Sequence, residues 1–266
     1  MKYSLCILCI ALISVSSSAA PILTEMGTSA RAMALGGAFA AIADDESAVF
    51  YNPAGLAFLS KTTVAAFYQR AFDVVHHVAL AGAMRGWGAQ VIQLDTGPIE
   101  GTNEFGNPSG EPARYASQAG LVGGALGIEH VAVGLRGRLS SDAIETQWGI
   151  DAGALARWGS MRFGIVAENL LGSATISLRL GAALVMQFGP RMILTISGEV
   201  WDLFRRPEVH LGLEASINGV QIRAGYDGVA VITGAGARWN SIRLDWAYRM
   251  HPQLPASTIV TVAYLF

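Results

Sequence analysis

Beyond residue 9 the chain contains no cysteine, the two it has being Cys6 and Cys9. That excludes a disulfide framework, a thiol nucleophile and a thiolate metal site from everything that follows. After the first twenty positions no run of eighteen apolar residues occurs, which excludes a membrane-spanning helix. Charge is sparse: 14% of residues are charged and the net charge is −2, so the basic excess of a nucleic-acid binder is absent. Lysine is nearly missing too, with two against sixteen arginines. Against these shortages stands a hydrophobic content of 52% and a mean hydropathy of +0.40. So apolar a chain without a helical span suits a membrane in one remaining form, a closed β-barrel in which every backbone group pairs between strands.

Residues 1 to about 20 read as an export leader: Lys2, an apolar run from Leu5 to Val15, then Ser16-Ser17-Ser18-Ala19-Ala20. Small residues at Ser17 and Ala19 suit cleavage after Ala19, and Pro21 disfavours Ala20. Three units are thus expected: a signal peptide at 1–20, an N-terminal segment at 21–59 and a barrel at 60–266.

From Lys61 onward fourteen alternating segments follow, at 61–70, 74–84, 86–95, 113–125, 129–139, 144–157, 161–169, 175–188, 191–200, 207–217, 219–226, 229–238, 241–249 and 256–266. In the thirteenth, Ile242, Leu244, Trp246 and Tyr248 alternate with Arg243, Asp245 and Arg249. A period of two with one apolar face is a strand signature, and most segments are as long as a tilted membrane-spanning strand requires. The expected fold is an all-β antiparallel transmembrane barrel of about 14 strands. Even-numbered connections are tight (Arg85-Gly86, Gly189-Pro190, Asn218-Gly219, Asn240-Ser241), and the third, Thr96 to Pro112, is long. Outer-membrane barrels show this asymmetry, with short turns on the periplasmic side. Following the strands up and down puts Trp87, Trp158, Phe163, Phe188, Trp239 and Phe266 on the short-turn rim. Tyr68, Tyr115, Trp148, Tyr226 and Tyr248 fall on the other.

The polar parity carries arginine, whose planar fork suits crowded ion pairs. Arg136, Arg138, Arg179, Arg223, Arg238 and Arg243 are expected to form a lumen network with Glu145, Asp151, Glu168, Glu199, Glu214 and Asp245. No catalytic constellation emerges. His77 and His210 share lumen parity, His76 has lipid parity, and His130 and His251 border connectors. Same-face residues step about 7 Å apart along a strand, so Ser216 lies too far from His210 for a relay, and a solvated lumen histidine is the expectation there. Neither zinc spacing nor a phosphate loop is present, so neither enzyme activity, metal nor cofactor is expected. Glycines at 120, 123, 124, 127, 134, 137, 149 and 153 are expected to ease wall curvature or to admit an inner segment.

The stretch from Ala32 to Leu59 differs from the rest. Gly36-Gly37 breaks it, an apolar run leads to Ala43, and Asp44-Asp45-Glu46 heads a helical turn. Asn52 is placed to cap a second short helix whose first position is Pro53. Arg31-Ala32-Met33-Ala34-Leu35-Gly36-Gly37-Ala38-Phe39, Ala43-Asp44-Asp45 and Tyr51-Asn52-Pro53-Ala54-Gly55-Leu56 resemble the N-terminal signature of the FadL-like outer-membrane barrels, most closely their PorV/PorQ branch. The resemblance implies that this segment is a plug inside the bore, with Gly36, Gly37, Asp44, Asp45, Asn52, Pro53 and Gly55 as its motif. Its acids are expected to meet lumen arginines.

At the other end Thr258, Val260, Val262, Tyr264 and Phe266 share one parity. The terminal aromatic resembles the C-terminal signal read by the outer-membrane assembly machinery, with Tyr264 and Phe266 carrying it. Two functions stay open. The FadL resemblance implies a channel for hydrophobic small molecules such as long-chain fatty acids, in contact with outer-membrane lipid. The PorV/PorQ resemblance implies a docking or shuttle component of type IX protein secretion, with secretion-system proteins as partners. Either places the chain in the outer membrane of a Gram-negative-type bacterium.

Overall fold

The computed structural model describes residues 26–98, 114–142 and 144–266, together with Gly101, Asn107 and Gly110. The expected leader and its cleavage site lie outside the described residues. Fourteen strands follow one another as β1 (Thr63–Ala71), β2 (Val75–Met84), β3 (Trp87–Asp95), β4 (Ala116–Ile128), β5 (Val131–Asp142), β6 (Thr146–Trp158) and β7 (Met161–Gly172). Then come β8 (Ser177–Phe188), β9 (Met192–Trp201), β10 (Glu208–Ile217), β11 (Val220–Tyr226), β12 (Val231–Trp239), β13 (Ile242–Met250) and β14 (Ser257–Leu265). Each is antiparallel to its neighbours in sequence, and β1 pairs with β14 from Thr63 opposite Leu265 to Arg70 opposite Thr258, which closes the barrel. Among the described residues no helix is long and apolar enough to cross a membrane; the wall is strand throughout.

The alternation read from the sequence is the alternation of faces. In β1 Thr63, Ala65, Phe67, Gln69 and Ala71 are buried, whereas Val64, Ala66, Tyr68 and Arg70 are exposed. The exposed set around the wall is apolar: Leu80, Val91, Val122, Leu135, Ile196, Leu213 and Leu244 all face outward. A continuous apolar exterior of this extent is what a lipid-facing barrel presents. Every aromatic expected at the short-turn rim is exposed there, Trp158, Trp239 and Phe266 most of all. On the opposite rim Tyr115 departs from the pattern: it is half-buried, packs against the core, and its hydroxyl donates to Asp142 at 3.0 Å.

Short connections have the chemistry their geometry demands. Asn218-Gly219 joins β10 to β11 with both residues at positive φ, +52° and +86°, the conformation that matches strand twist in a two-residue hairpin. The seventh segment was expected to end at 169 but runs on to Gly172, because a β-bulge interrupts the pairing between Ile150 and Ala152 of β6 and lets the ladder resume at Ile150–Leu171. Asn169 takes φ +57° there, and its N–H donates to Asp151 Oδ1 at 2.7 Å.

Depth along the strands sets the cost of charge on the outer face. Val91 is the central residue of β3, whereas Leu244 lies two residues from the β12–β13 turn. Val91→Arg should therefore destabilise the refolded barrel by about 2–4 kcal/mol and Leu244→Arg by only about 0–1 kcal/mol. Urea unfolding in lipid vesicles reads both; equal costs would contradict this assignment of depth.

Candidate functional site

A barrel of fourteen strands is too wide for its own side chains to fill, since eight is about the number that they can close. Residues 27 to 59 occupy the space. Their burial begins five residues before the expected Ala32, and Ala30, Leu35, Phe39, Val49 and Leu56 have no exposure at all. Helix α1 (Ala30–Ala34) packs on β11 to β14, while the 3-10 helix Pro53–Phe58 packs on β3 to β6 across the bore. One segment thus touches opposite walls. Toward the long-loop end Phe67, Leu94, Ile232 and Ile259 are at most 3% exposed, so apolar side chains of the wall pack inside the bore there as well.

Local sequence explains the path. Ser29 caps α1 by accepting from the Ala32 N–H, and the Ala30 N–H donates to Thr261 Oγ1 of β14 at 2.9 Å. Gly36 and Gly37 turn the chain at φ +67° and +82°, and a Cβ on Gly36 would fall 2.6 Å from the Leu211 carbonyl oxygen. The helical turn α2 (Ala48–Tyr51) starts later than the acids alone imply, because Asp45 Oδ1 accepts from the Ser47 N–H at 3.0 Å and holds 45–47 as a turn. Asn52 performs three tasks at once. Its amide donates to the Ala40 and Ala154 carbonyls at 2.8 and 3.1 Å, and its oxygen accepts from the Ala54 N–H at 3.1 Å, capping a helix that Pro53 opens. Gly55 passes against the Ala43 backbone where no side chain fits.

Close approach to the wall is made possible by glycine. Of the wall glycines singled out in the sequence, Gly123, Gly127, Gly134 and Gly153 face inward against this segment. Gly149 faces the Arg138 and Asn169 side chains, and Gly120, Gly124 and Gly137 face outward. The sequence reading missed Gly164, Gly212, Gly225 and Gly234, where a Cβ would strike the backbone or Cβ of Ala34, Leu35, Gly36 and Ala40. Their inward parity was the available signal.

Two charge networks tie segment to wall. In one, Arg31 bridges Asp44 (2.6 Å) and Asp45 (3.1 Å) on its own segment to Glu214 of β10 (3.0 Å). Arg162 of β7 reaches Asp44 at 3.3 Å, and Arg243 of β13 reaches Glu46 at 2.6 Å and Asp45 at 3.9 Å. Arg223 joins Glu214 and Asp245 behind them at 2.6 and 2.8 Å. In the other, Arg136 pairs with Asp151 and Glu168 and donates to the Val49 and Phe50 carbonyls, while Arg138 donates to Asn169. Arg179 pairs with Glu168 and Glu199, and Glu199 accepts from the Ala40 N–H at 2.7 Å.

Ten of the twelve residues expected in the lumen network are therefore found in these two networks, Arg138 also pairing with Asp151 at 3.9 Å. Glu145 is not: it precedes β6, is exposed at the long-loop rim and accepts from the Gln147 amide. Arg238 faces inward but is exposed at the short-turn end. Arg31 and Arg162 joined unpredicted, although the alternation of Arg162 with Met161 and Phe163 carried its lumen parity; Glu46 is one of the acids expected to meet a lumen arginine, and Arg243 is that arginine. His210 is buried rather than solvated: its ring stacks on Trp201 at 4.3 Å and its Nδ1–H donates to the Gly36 carbonyl. Among the described residues no group of three His, Cys, Asp or Glu side chains is gathered as a metal site.

Magnitudes separate the roles of these contacts. Buried ion pairs roughly cancel their own desolvation, whereas full burial of Leu35, Phe39, Ile42, Val49 and Leu56 is worth about 1.5–3 kcal/mol each. Apolar packing holds the segment, and the charges set its register. Two acids on it titrate abnormally. Burial raises the Asp44 carboxyl, but Arg31 and Arg162 outweigh that and hold it at about 2. Glu46 is pushed up to about 7, by burial first and by neighbouring Asp45 second, against the pull of Arg243. A raised folded-state value means stability that is present below the ordinary carboxylate range and is lost as the pH rises through about 7; the Asp44 contribution is lost only as the pH falls through about 2. Protection of residues 44–51 against hydrogen exchange, corrected for intrinsic rates, should fall between pH 5 and pH 8, and Glu46→Gln should flatten that dependence.

Residues 19–102, which span this segment and the first three strands, match the model of an uncharacterised protein family, UPF0164. No curated protein matches the chain. Among solved structures, the toluene transporter TodX of Pseudomonas putida is 10% identical, with a TM-score of 0.59 over 90% of this chain and 98% of that one. The Ralstonia pickettii toluene transporter TbuX is 11% identical, again with a TM-score of 0.59 over 90% and 98%. A Pseudomonas aeruginosa FadL homologue is 11% identical, with a TM-score of 0.54 over 90% and 98%. At such identities the likeness is one of fold: a closed antiparallel β-barrel.

Proposed function

We propose that this chain is an outer-membrane barrel of FadL type that passes small hydrophobic molecules, and that the structure is its closed state, with residues 27 to 59 as the plug. The observation that carries this reading is a barrel, apolar outside, whose bore is filled by its own N-terminal segment. Lipid contact follows from the exterior. The toluene transporters and the FadL homologue that share the fold support a hydrophobic cargo, and a long-chain fatty acid is the form that the signature from Arg31 to Leu56 implies. Reconstituted into vesicles, the intact chain should take up a labelled fatty acid or toluene-like probe saturably. Uptake equal to that of protein-free vesicles would remove the channel reading.

One observation favours the second reading, docking in type IX secretion. Six of the seven connections at the long-loop end expose an apolar side chain, Val74, Ile144, Ile176, Phe204, Val229 and Leu254, where a protein partner would land. A docking barrel should show no saturable uptake with or without its plug, which separates the two in the same assay.

A further inference from the structure

We propose that the cavity at the short-turn end of the bore binds a phosphate monoester with a short organic body. The cavity has a volume of about 370 Å³, within the range of small-molecule sites and too small for a whole lipid. Its lining comes from the ends of strands beside the tight turns, including Thr63, Ile193, Ser216, Gln221 and Leu265, so it opens on that side.

The argument rests on which charges are matched. Arg31, Arg162, Arg223 and Arg243 line the cavity and are all engaged by Asp44, Asp45, Glu46, Glu214 and Asp245. Lys61 and Arg238 line it too, and among the described residues neither has an ion pair or a side-chain hydrogen bond. Arg238 stands directly opposite Arg243 in the β12–β13 register, both on the inward face. Like charges directly opposed across a sheet are destabilising, and a bound anion removes that cost. Two unmatched cations fit a dianion better than a single carboxylate; the arginine fork takes two phosphate oxygens and the lysine acts as a point charge. Leu59, Ile193 and Leu265 offer the apolar wall for the organic group.

The site does not depend on conduction, so binding is measured without flux. Hexyl phosphate titrated calorimetrically into the full-length barrel in lipid nanodiscs should bind saturably, more tightly than inorganic phosphate, while hexanol should not. The double variant Lys61→Gln/Arg238→Gln should weaken hexyl phosphate at least tenfold with unchanged heat-modifiable gel mobility, since neither side chain holds the fold. Dihexanoyl phosphatidic acid supplies the second arm: preference for it over hexyl phosphate assigns a lipid headgroup, and the reverse assigns a free monoester. No saturable binding of either phosphate compound, or equal affinity in the double variant, would overturn the site. A barrel that binds hexyl phosphate but takes up no hydrophobic probe would keep this site and lose the channel reading.

Discussion

Vesicles carrying the barrel without residues 32 to 50 should leak small solutes, at a rate roughly tenfold or more above the intact protein, because a fourteen-stranded wall stripped of its filling approaches the open aqueous barrels. The deletion removes Leu35, Phe39, Ile42 and Val49 and the acids 44 to 46, all but Asp44 buried in the bore. Nothing in the wall replaces them, since the inward positions facing that volume are glycines such as Gly164, Gly212, Gly225 and Gly234. The wall itself should survive. Its strands pair in a closed circuit from β1 round to β14, and the arginines left behind gain water in place of their partners. Heat-modifiable gel mobility reports the closed wall and dye release reports the bore. A folded deletion variant as tight as the intact protein would mean that the segment does not seal the passage, and the proposed plug would be wrong.

Much of this was legible in the sequence because a barrel wall is a local code. Parity alone separates Arg243 and Asp245 from Leu244 and Trp246, and the turn residues Asn218-Gly219 fix where one strand hands over to the next. Burial of Asn52 and its cap on Ala54 was likewise readable, since Pro53 leaves few alternatives for the residue before it. What escaped was set by long-range packing. Arg31 lies just outside the stretch that looked unusual, yet it joins three acids, one of them 183 positions away. The bulge that carries β7 to Gly172 depends on the Asp151 carboxylate meeting the Asn169 N–H, and no alternation pattern announces it. Glu145 has the right parity but stands one residue outside β6, where the lumen has already given way to solvent.

Gly134→Val should be among the most damaging single substitutions in the wall. A Cβ at Gly134 falls 2.5 Å from both the Ala54 nitrogen and the Pro53 carbonyl carbon, and backbone atoms cannot rotate aside as a side chain would. The 3-10 helix is pinned from the other side as well, because Asn52 is bonded to Ala40 and Ala154 and Gly55 abuts Ala43. Overpacking of a rigid site costs about 1–3 kcal/mol and sometimes more, and a contact with backbone held on both flanks belongs at the upper end of that range. Gly137→Val supplies the control. Gly137 lies three residues along the same strand on the opposite face, and a Cβ there meets nothing within 4 Å. Valine suits both the strand and the lipid, so that variant should be neutral or slightly more stable. Urea unfolding in vesicles measures the pair, and dye release should rise for Gly134→Val alone, since the strained turn can relax only by backing out of the wall. Equal stability of the two variants would show that the segment sits farther from β5 than the structure places it.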